Sequence, residues 1–321
     1  MAATTTPLSL STSLRALLSS SSSSLARTPL RASFPFLLNC PNSVRTSVGI
    51  SGSSKASSAT RFYSSMSGTE TGKKGSVEVF DSEEILASSL AGYTADLSGK
   101  FCKERGSFTV VLSGGSLVKS LRKLVDPPYV DSIDWSKWHV FWVDERVVPK
   151  DHDDSNYKLA FDGFLSQVPI LPGNVYAIND ALSAEGAAED YETCLKHLVH
   201  TKVVDTSPAS GFPRFDLMLM GMGPDGHVAS LFPGHPLVNE KEKWVAHITD
   251  SPKPPPERIS FTLPVINSSA HIALVVCGAG KSDVVGRAFG KIQNPEVLPV
   301  QMVSPEGELK WLLDKGAASK L

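Results

Sequence analysis

The chain has no acidic residue before Glu70. Residues 1–69 instead hold Ser-rich runs and six basic residues, Arg15, Arg27, Arg31, Arg45, Lys55 and Arg61. A Ser-rich, Arg-bearing, acid-free leader has the composition of an organellar transit peptide, and the abundance of serine favours the plastid over the mitochondrion. Residues 1–68 are therefore read as a disordered transit peptide outside the fold, with one domain over 69–318. Every acid lies beyond the leader, so the remainder carries 33 acidic against 25 basic residues, a net charge of about −8. Such a surface disfavours nucleic acid and anionic membranes, and an anionic ligand would need a local cluster of cations.

Cysteine is also scarce. The four are Cys40, Cys102, Cys194 and Cys277, one of them in the leader, and none at metal-ligand spacing or in an even set for disulfides. Free thiols in a reducing compartment, and no metal, are the expectation. No apolar run approaches the ~18 residues of a membrane span, and no internal repeat occurs. The final three residues, Ser319, Lys320 and Leu321, match a peroxisomal address, so plastid and peroxisomal import receptors are both expected partners.

What is present is an alternation of strand and helix signals. Apolar runs at 77–80, 107–112, 138–144, 175–178, 215–220, 244–249, 258–263 and 270–277 read as strands. Helical patterns cover 82–103, 117–124, Ser155 or Asn156 to 161, 184–199 and part of 278–289, and "LKWLLD" (309–314) closes the chain. Ser82 and Ser183 stand at helix starts as N-caps. Near-continuous apolar strands between helices predict a three-layer α/β/α domain with a mostly parallel sheet.

Ligands of open α/β sheets bind beyond the carboxyl ends of the strands, and polar loops fall at such ends. "LSGGS" ends in Ser113, Gly114, Gly115 and Ser116, a strand-to-helix glycine turn able to cradle a phosphate. "FWVDERVVP" brings Asp144, Glu145 and Arg146 off an apolar strand, shortly before Asn156. "GMGPDGHVASLFPGH" (221–235) carries Asp225 and His227. Its Gly221, Gly223 and Gly226 spell G-x-G-x-x-G, but Asp225 would face a pyrophosphate, and Pro233 and Gly234 stop any crossover helix, so no dinucleotide site is expected. Arg258 begins one strand, and Lys281 follows the glycine turn "CGAG". Imidazole titrates near neutrality, so His227 is the candidate base, with Asp225 to orient it. Ser113 and Ser116 lack a nucleophile elbow and read as phosphate ligands.

In this order, "LSGGS", "VDER" followed by "SN", "GMGPDGHVASLFPGH" and "RISFTLP" leading to "VVCGAGK" resemble the 6-phosphogluconolactonases over residues 75–315. Glucosamine-6-phosphate deaminases are similar but carry a block resembling "DGHIAFNEPG". Phe232 stands here in place of their catalytic glutamate, and a phenyl ring does no acid–base work. The resemblance implies the Rossmann-like fold shared with those deaminases and ribose-5-phosphate isomerase. It also implies a carboxylic ester hydrolase of the oxidative pentose phosphate pathway, acting on 6-phospho-D-glucono-1,5-lactone without a cofactor. The expected catalytic set is His227, Asp225 and Arg146. The expected substrate-binding set is Ser113, Gly114, Gly115, Ser116, Asp144, Glu145, Asn156, Arg258 and Lys281, with the division of phosphate and lactone among Arg146, Arg258 and Lys281 left open. A deaminase-like isomerase and a non-catalytic sugar-phosphate sensor are the alternatives.

Overall fold

The computed structural model describes residues 75–293 and 295–321; the leader read over 1–68 lies outside them. Six parallel strands form the central sheet: β1 (Ser76–Phe80), β2 (Phe108–Leu112), β3 (Trp138–Trp142), β7 (Leu217–Met220), β10 (His271–Val276) and β11 (Glu308–Asp314), in the order β1-β11-β10-β7-β2-β3. From β2 the chain steps outward to β3; from β7 it steps the other way, to β10 and β11. The order therefore reverses between β7 and β2, and the crevice at such a reversal is where a ligand can enter.

Alternation along the strands builds a core on each face. Val110, Leu112, Leu217, Leu219, Ala273 and Val275 point to one side, and Val111, Met218, Met220, Ile272, Leu274 and Val276 to the other. On the first side α1 (Glu83–Arg105) contributes Leu86, Leu90, Leu97 and Phe101. Ser82 caps it by accepting from the Ile85 amide, and Gly106, at φ 82°, ends it. On the second side α5 (Ala184–His200), capped by Ser183, buries Ala187, Ala188, Tyr191, Leu195 and Leu198, alongside Val284 and Val285 of α7 (Ser282–Ala288). Each such Leu or Val removes apolar area worth about 1.5–3 kcal/mol from water.

Some expectations fail in instructive ways. The run 138–144 is not one strand: β3 stops at Trp142, and β4 (Asp144–Arg146) joins β9 (Arg258–Phe261) and β8 (Val245–Ile248) in a separate antiparallel sheet, order β4-β9-β8. Val143 is the crossing point. Its amide donates to Leu112, and its carbonyl accepts from Phe261 in the second sheet. Residues 175–178 form no strand; Val175 makes a single bridge to Val140, and Tyr176 then stacks on Phe141 with ring centroids 4.6 Å apart. The helix read over 117–124 is α-helical only as α2 (Ser116–Ser120), followed by a 3-10 turn. The remaining elements are α3 (Tyr129–Ser132), α4 (Asn156–Gly163), the small hairpin β5 (Asp205–Thr206) and β6 (Pro213–Arg214), and α6 (Leu263–Asn267). Of the terminal Ser319, Lys320 and Leu321, Lys320 lies against α7, where it pairs with Asp283. Among the described residues no helix is long and apolar enough to cross a membrane.

Candidate active site

The loops leaving β2, β7 and β10 meet at the carboxyl edge of the sheet. The Ser113 amide donates to the Leu219 carbonyl at 3.0 Å, tying the Ser-Gly-Gly turn to the end of β7. A Cβ at Gly221 would lie 4.0 Å from Ser113 Oγ. One residue on, the Met222 carbonyl accepts a short hydrogen bond from Lys281 Nζ. Ser113, Lys281 and the loop that carries His227 are therefore neighbours.

Two glycines are fixed by close approach. A Cβ at Gly223 would sit 2.0 Å from the His227 ring, so only hydrogen there leaves room for the imidazole. A Cβ at Gly114 would fall 1.8 Å from Asn156 Oδ1. Gly115, at φ 69°, needs the left-handed region. The amides of Gly114 and Gly115 make no hydrogen bond among the described residues, and they stand at the exposed start of α2. That helix is only five residues long, so these amides, rather than a long macrodipole, are what the turn offers an anion.

His227 Nδ1 lies 2.5 Å from Asp225 Oδ1. A carboxylate can only accept, so Nδ1 carries a proton, and in the neutral imidazole Nε2 keeps its lone pair. Nε2 has no hydrogen-bond partner among the described residues. Burial would raise the Asp225 carboxyl, but the hydrogen bonds and charges of His227 and Lys253 outweigh it and hold it well below the usual carboxylate range. Lys253 Nζ is 3.1 Å from the same Asp225 oxygen and 3.3 Å from His227 Nδ1. Sequence reasoning missed Lys253, because it stands in the proline run between β8 and β9, which reads as a mere connection.

The "VDER" loop contributes differently from expectation. Asp144, Glu145 and Asn156 were expected as substrate ligands, but all three are buried and bound within the protein. Asp144 accepts from Ser230 Oγ at 2.9 Å, bracing the His227 loop, and its carbonyl accepts from the Asn156 side chain at 2.9 Å. Glu145 accepts from the amides of Arg146, Asn156 and Tyr157 and so caps α4. Burial, against those three amides, pushes its carboxyl up to about 7. All three side chains are thus engaged within the protein.

Arg146 and Arg258 are directly opposed across β4 and β9. Arg146 donates through Nη1 to the Asp154 carbonyl at 2.8 Å, and its buried Nε has no partner. Arg258 is only 3% exposed. Its Nε donates to Pro255, and its Nη2 to Lys253 and Pro254, all backbone carbonyls at 2.9–3.0 Å. Burial, and then the neighbouring Arg146, lower its pKa. Two like charges side by side repel, so this corner is electropositive. Lys281 too is lowered, by burial first and then by Lys253.

Among the described residues no cluster of three or more His, Cys, Asp or Glu side chains is arranged to hold a metal ion. A cavity of about 300 Å³ lined by Ser98, Cys102, Lys103 and Lys137 flanks the C-terminal half of α1, at the opposite edge of the sheet. It contains none of the groups described above.

The family model for glucosamine-6-phosphate isomerases/6-phosphogluconolactonase matches residues 81–311. The chain is 67% identical over 278 residues to "6-phosphogluconolactonase 3, chloroplastic" of Arabidopsis thaliana, covering 86% of this chain and 85% of that one. It is 69% identical over 247 residues to "Probable 6-phosphogluconolactonase 4, chloroplastic" of Oryza sativa subsp. japonica, covering 76% of each. The crystal structure of 6-phosphogluconolactonase from Thermotoga maritima superposes with a TM-score of 0.62 at 26% identity, over 74% of this chain and 99% of that one.

Proposed function

We propose that this chain, which belongs to the glucosamine-6-phosphate isomerase/6-phosphogluconolactonase family, hydrolyses 6-phospho-D-glucono-1,5-lactone to 6-phospho-D-gluconate. The observation that carries the reading is the Asp225–His227 pair, at 2.5 Å, held beside the Ser-Gly-Gly turn and Lys281 with Nε2 unengaged.

The 6-phosphate is placed on the amides of Gly114 and Gly115, with the hydroxyls of Ser113 and Ser116 and the Lys281 ammonium as partners. That leaves the sugar ring to reach toward His227. Nε2 takes a proton from water as the water oxygen attacks C1. The negative charge that develops on the carbonyl oxygen meets Arg146. The imidazolium, balanced by Asp225, returns its proton to the ring oxygen as the C1–O bond breaks. Arg258 adds charge to this corner, although two of its nitrogens are already bound to backbone. A positioned base gives about 10²–10⁴-fold and one oxyanion donor about 10²–10³-fold. No covalent intermediate and no cofactor enters the scheme.

The test is to supply freshly generated lactone and, separately, glucosamine-6-phosphate, and to follow acid and ammonia. Acid from the lactone alone supports this reading. Ammonia would indicate the deaminase branch, and neither product a sugar-phosphate sensor.

The chloroplastic names of the similar plant proteins and the acid-free leader support a plastid location. A second, peroxisomal location through Ser319–Leu321 rests on the tripeptide alone. Fluorescent fusions lacking residues 1–68, with and without a blocked C-terminus, test both addresses.

A further inference from the structure

Lys253 stands in "SPKPPPER" (251–258), and its backbone is held from two sides. Ser251 Oγ donates to the Lys253 carbonyl at 2.8 Å and accepts from the Lys253 amide at 3.2 Å. From the other side the Arg258 guanidinium gathers the carbonyls of Lys253, Pro254 and Pro255. A lysine side chain ordinarily explores many rotamers, and ordering it costs entropy. Here the backbone is fixed, and the ammonium rests on Asp225 Oδ1, the same oxygen that receives His227 Nδ1–H.

We propose that Lys253 is a positioning residue of the hydrolytic site, and that Arg258 acts through it by caging the loop that presents it. An unrestrained Asp225 could rotate its carboxylate away from the imidazole. A carboxylate bound to both His227 and a clamped lysine keeps one orientation, so the imidazole keeps its Nδ1–H tautomer and its Nε2 lone pair toward the cleft. The ammonium has a second effect. It places a positive charge 3.3 Å from Nδ1, which opposes formation of the imidazolium and favours prompt return of the proton to the ring oxygen. The charges around His227 are Asp225 on its own loop and Lys253 from the proline run, Lys281 from the loop after β10, which interacts electrostatically with both, and Arg258 over the Phe232 ring that packs on the imidazole.

The inference rests on His227 being the base, and the experiment separates the two. His227→Ala, Lys253→Met, Lys253→Arg and the double variant His227→Ala/Lys253→Met are compared on the lactone. Imidazole ¹⁵N spectra of the wild type and both Lys253 variants report the tautomer independently of turnover. For Lys253→Met a 10- to 100-fold lower kcat is expected with KM within about twofold. The ¹⁵N spectra of Lys253→Met should show a mixture of the two imidazole tautomers where the wild type shows one. Lys253→Arg should recover most of the rate, and the double variant should be no slower than His227→Ala. If His227→Ala is crippled while Lys253→Met keeps wild-type kcat and tautomer, the role of Lys253 is overturned and that of His227 stands. If Lys253→Met raises KM alone, Lys253 binds substrate and the positioning role is wrong. If His227→Ala is itself near normal, the base assignment fails first.

Discussion

The ring of Phe232 lies 4.7 Å from that of His227, tilted by 43°. The Arg258 guanidinium stands over the same phenyl ring, 5.7 Å from its centroid. Phe232 thus contacts both the imidazole and a buried cation. The same imidazole has Asp225 and Lys253 at its Nδ1.

Replacing Phe232 by Leu keeps an apolar side chain but removes the aromatic face from both neighbours. The expected loss is about 1–2 kcal/mol of stability and a several-fold lower kcat with little change in KM. Thermal unfolding and steady-state kinetics on one preparation check both.

Gly223→Ala tests the room left for the imidazole. The added methyl would fall 2.0 Å from the ring and 2.6 Å from Asp225 Oδ1, so the ring must move. A displacement of about 1 Å costs on the order of 10²-fold in rate. The expected result is that loss in kcat with an unchanged circular dichroism spectrum.

Lys281→Ala should act on binding. Its ammonium donates to the Met222 carbonyl, one residue after Gly221, where a Cβ would lie 4.0 Å from Ser113 Oγ. KM for the lactone should rise about tenfold or more, with kcat changed far less. Inorganic phosphate should also lose most of its power to inhibit the variant.

Glu145 predicts a pH dependence of stability. Its folded carboxyl is raised to about 7 from an ordinary 4.5, so the folded chain holds this proton more firmly than the unfolded chain. Its contribution to unfolding free energy therefore falls as pH rises between about 4.5 and 7, by up to roughly 3 kcal/mol. Glu145→Gln cannot ionise and also loses an acceptor for the α4 amides. It should unfold at lower denaturant at every pH, and its midpoint should fall less steeply than that of the wild type between pH 5 and 7.

Much of this site can be read from residue order alone. A strand followed at once by Ser113–Ser116, by Gly221–His227 or by Gly278–Lys281 is a local pattern, and a parallel sheet necessarily brings such strand ends to one edge. Pairing direction is not local. The runs at 244–249 and 258–263 read as strands without revealing that they leave the main sheet and pair with Asp144–Arg146. Charge alone does not reveal a side chain's partners: Asp144 and Glu145, read as substrate ligands, are buried and hydrogen-bonded within the protein. Lys253 was hidden because its partner Asp225 lies 28 residues earlier, with no shared period or motif.

The most direct test of the account is the turnover of freshly generated 6-phosphogluconolactone by His227→Ala beside the wild type, corrected for spontaneous opening in water. With His227 as the base, kcat is expected to fall by about 10²-fold or more with KM nearly unchanged. A variant that turns the lactone over at close to the wild-type rate would contradict it.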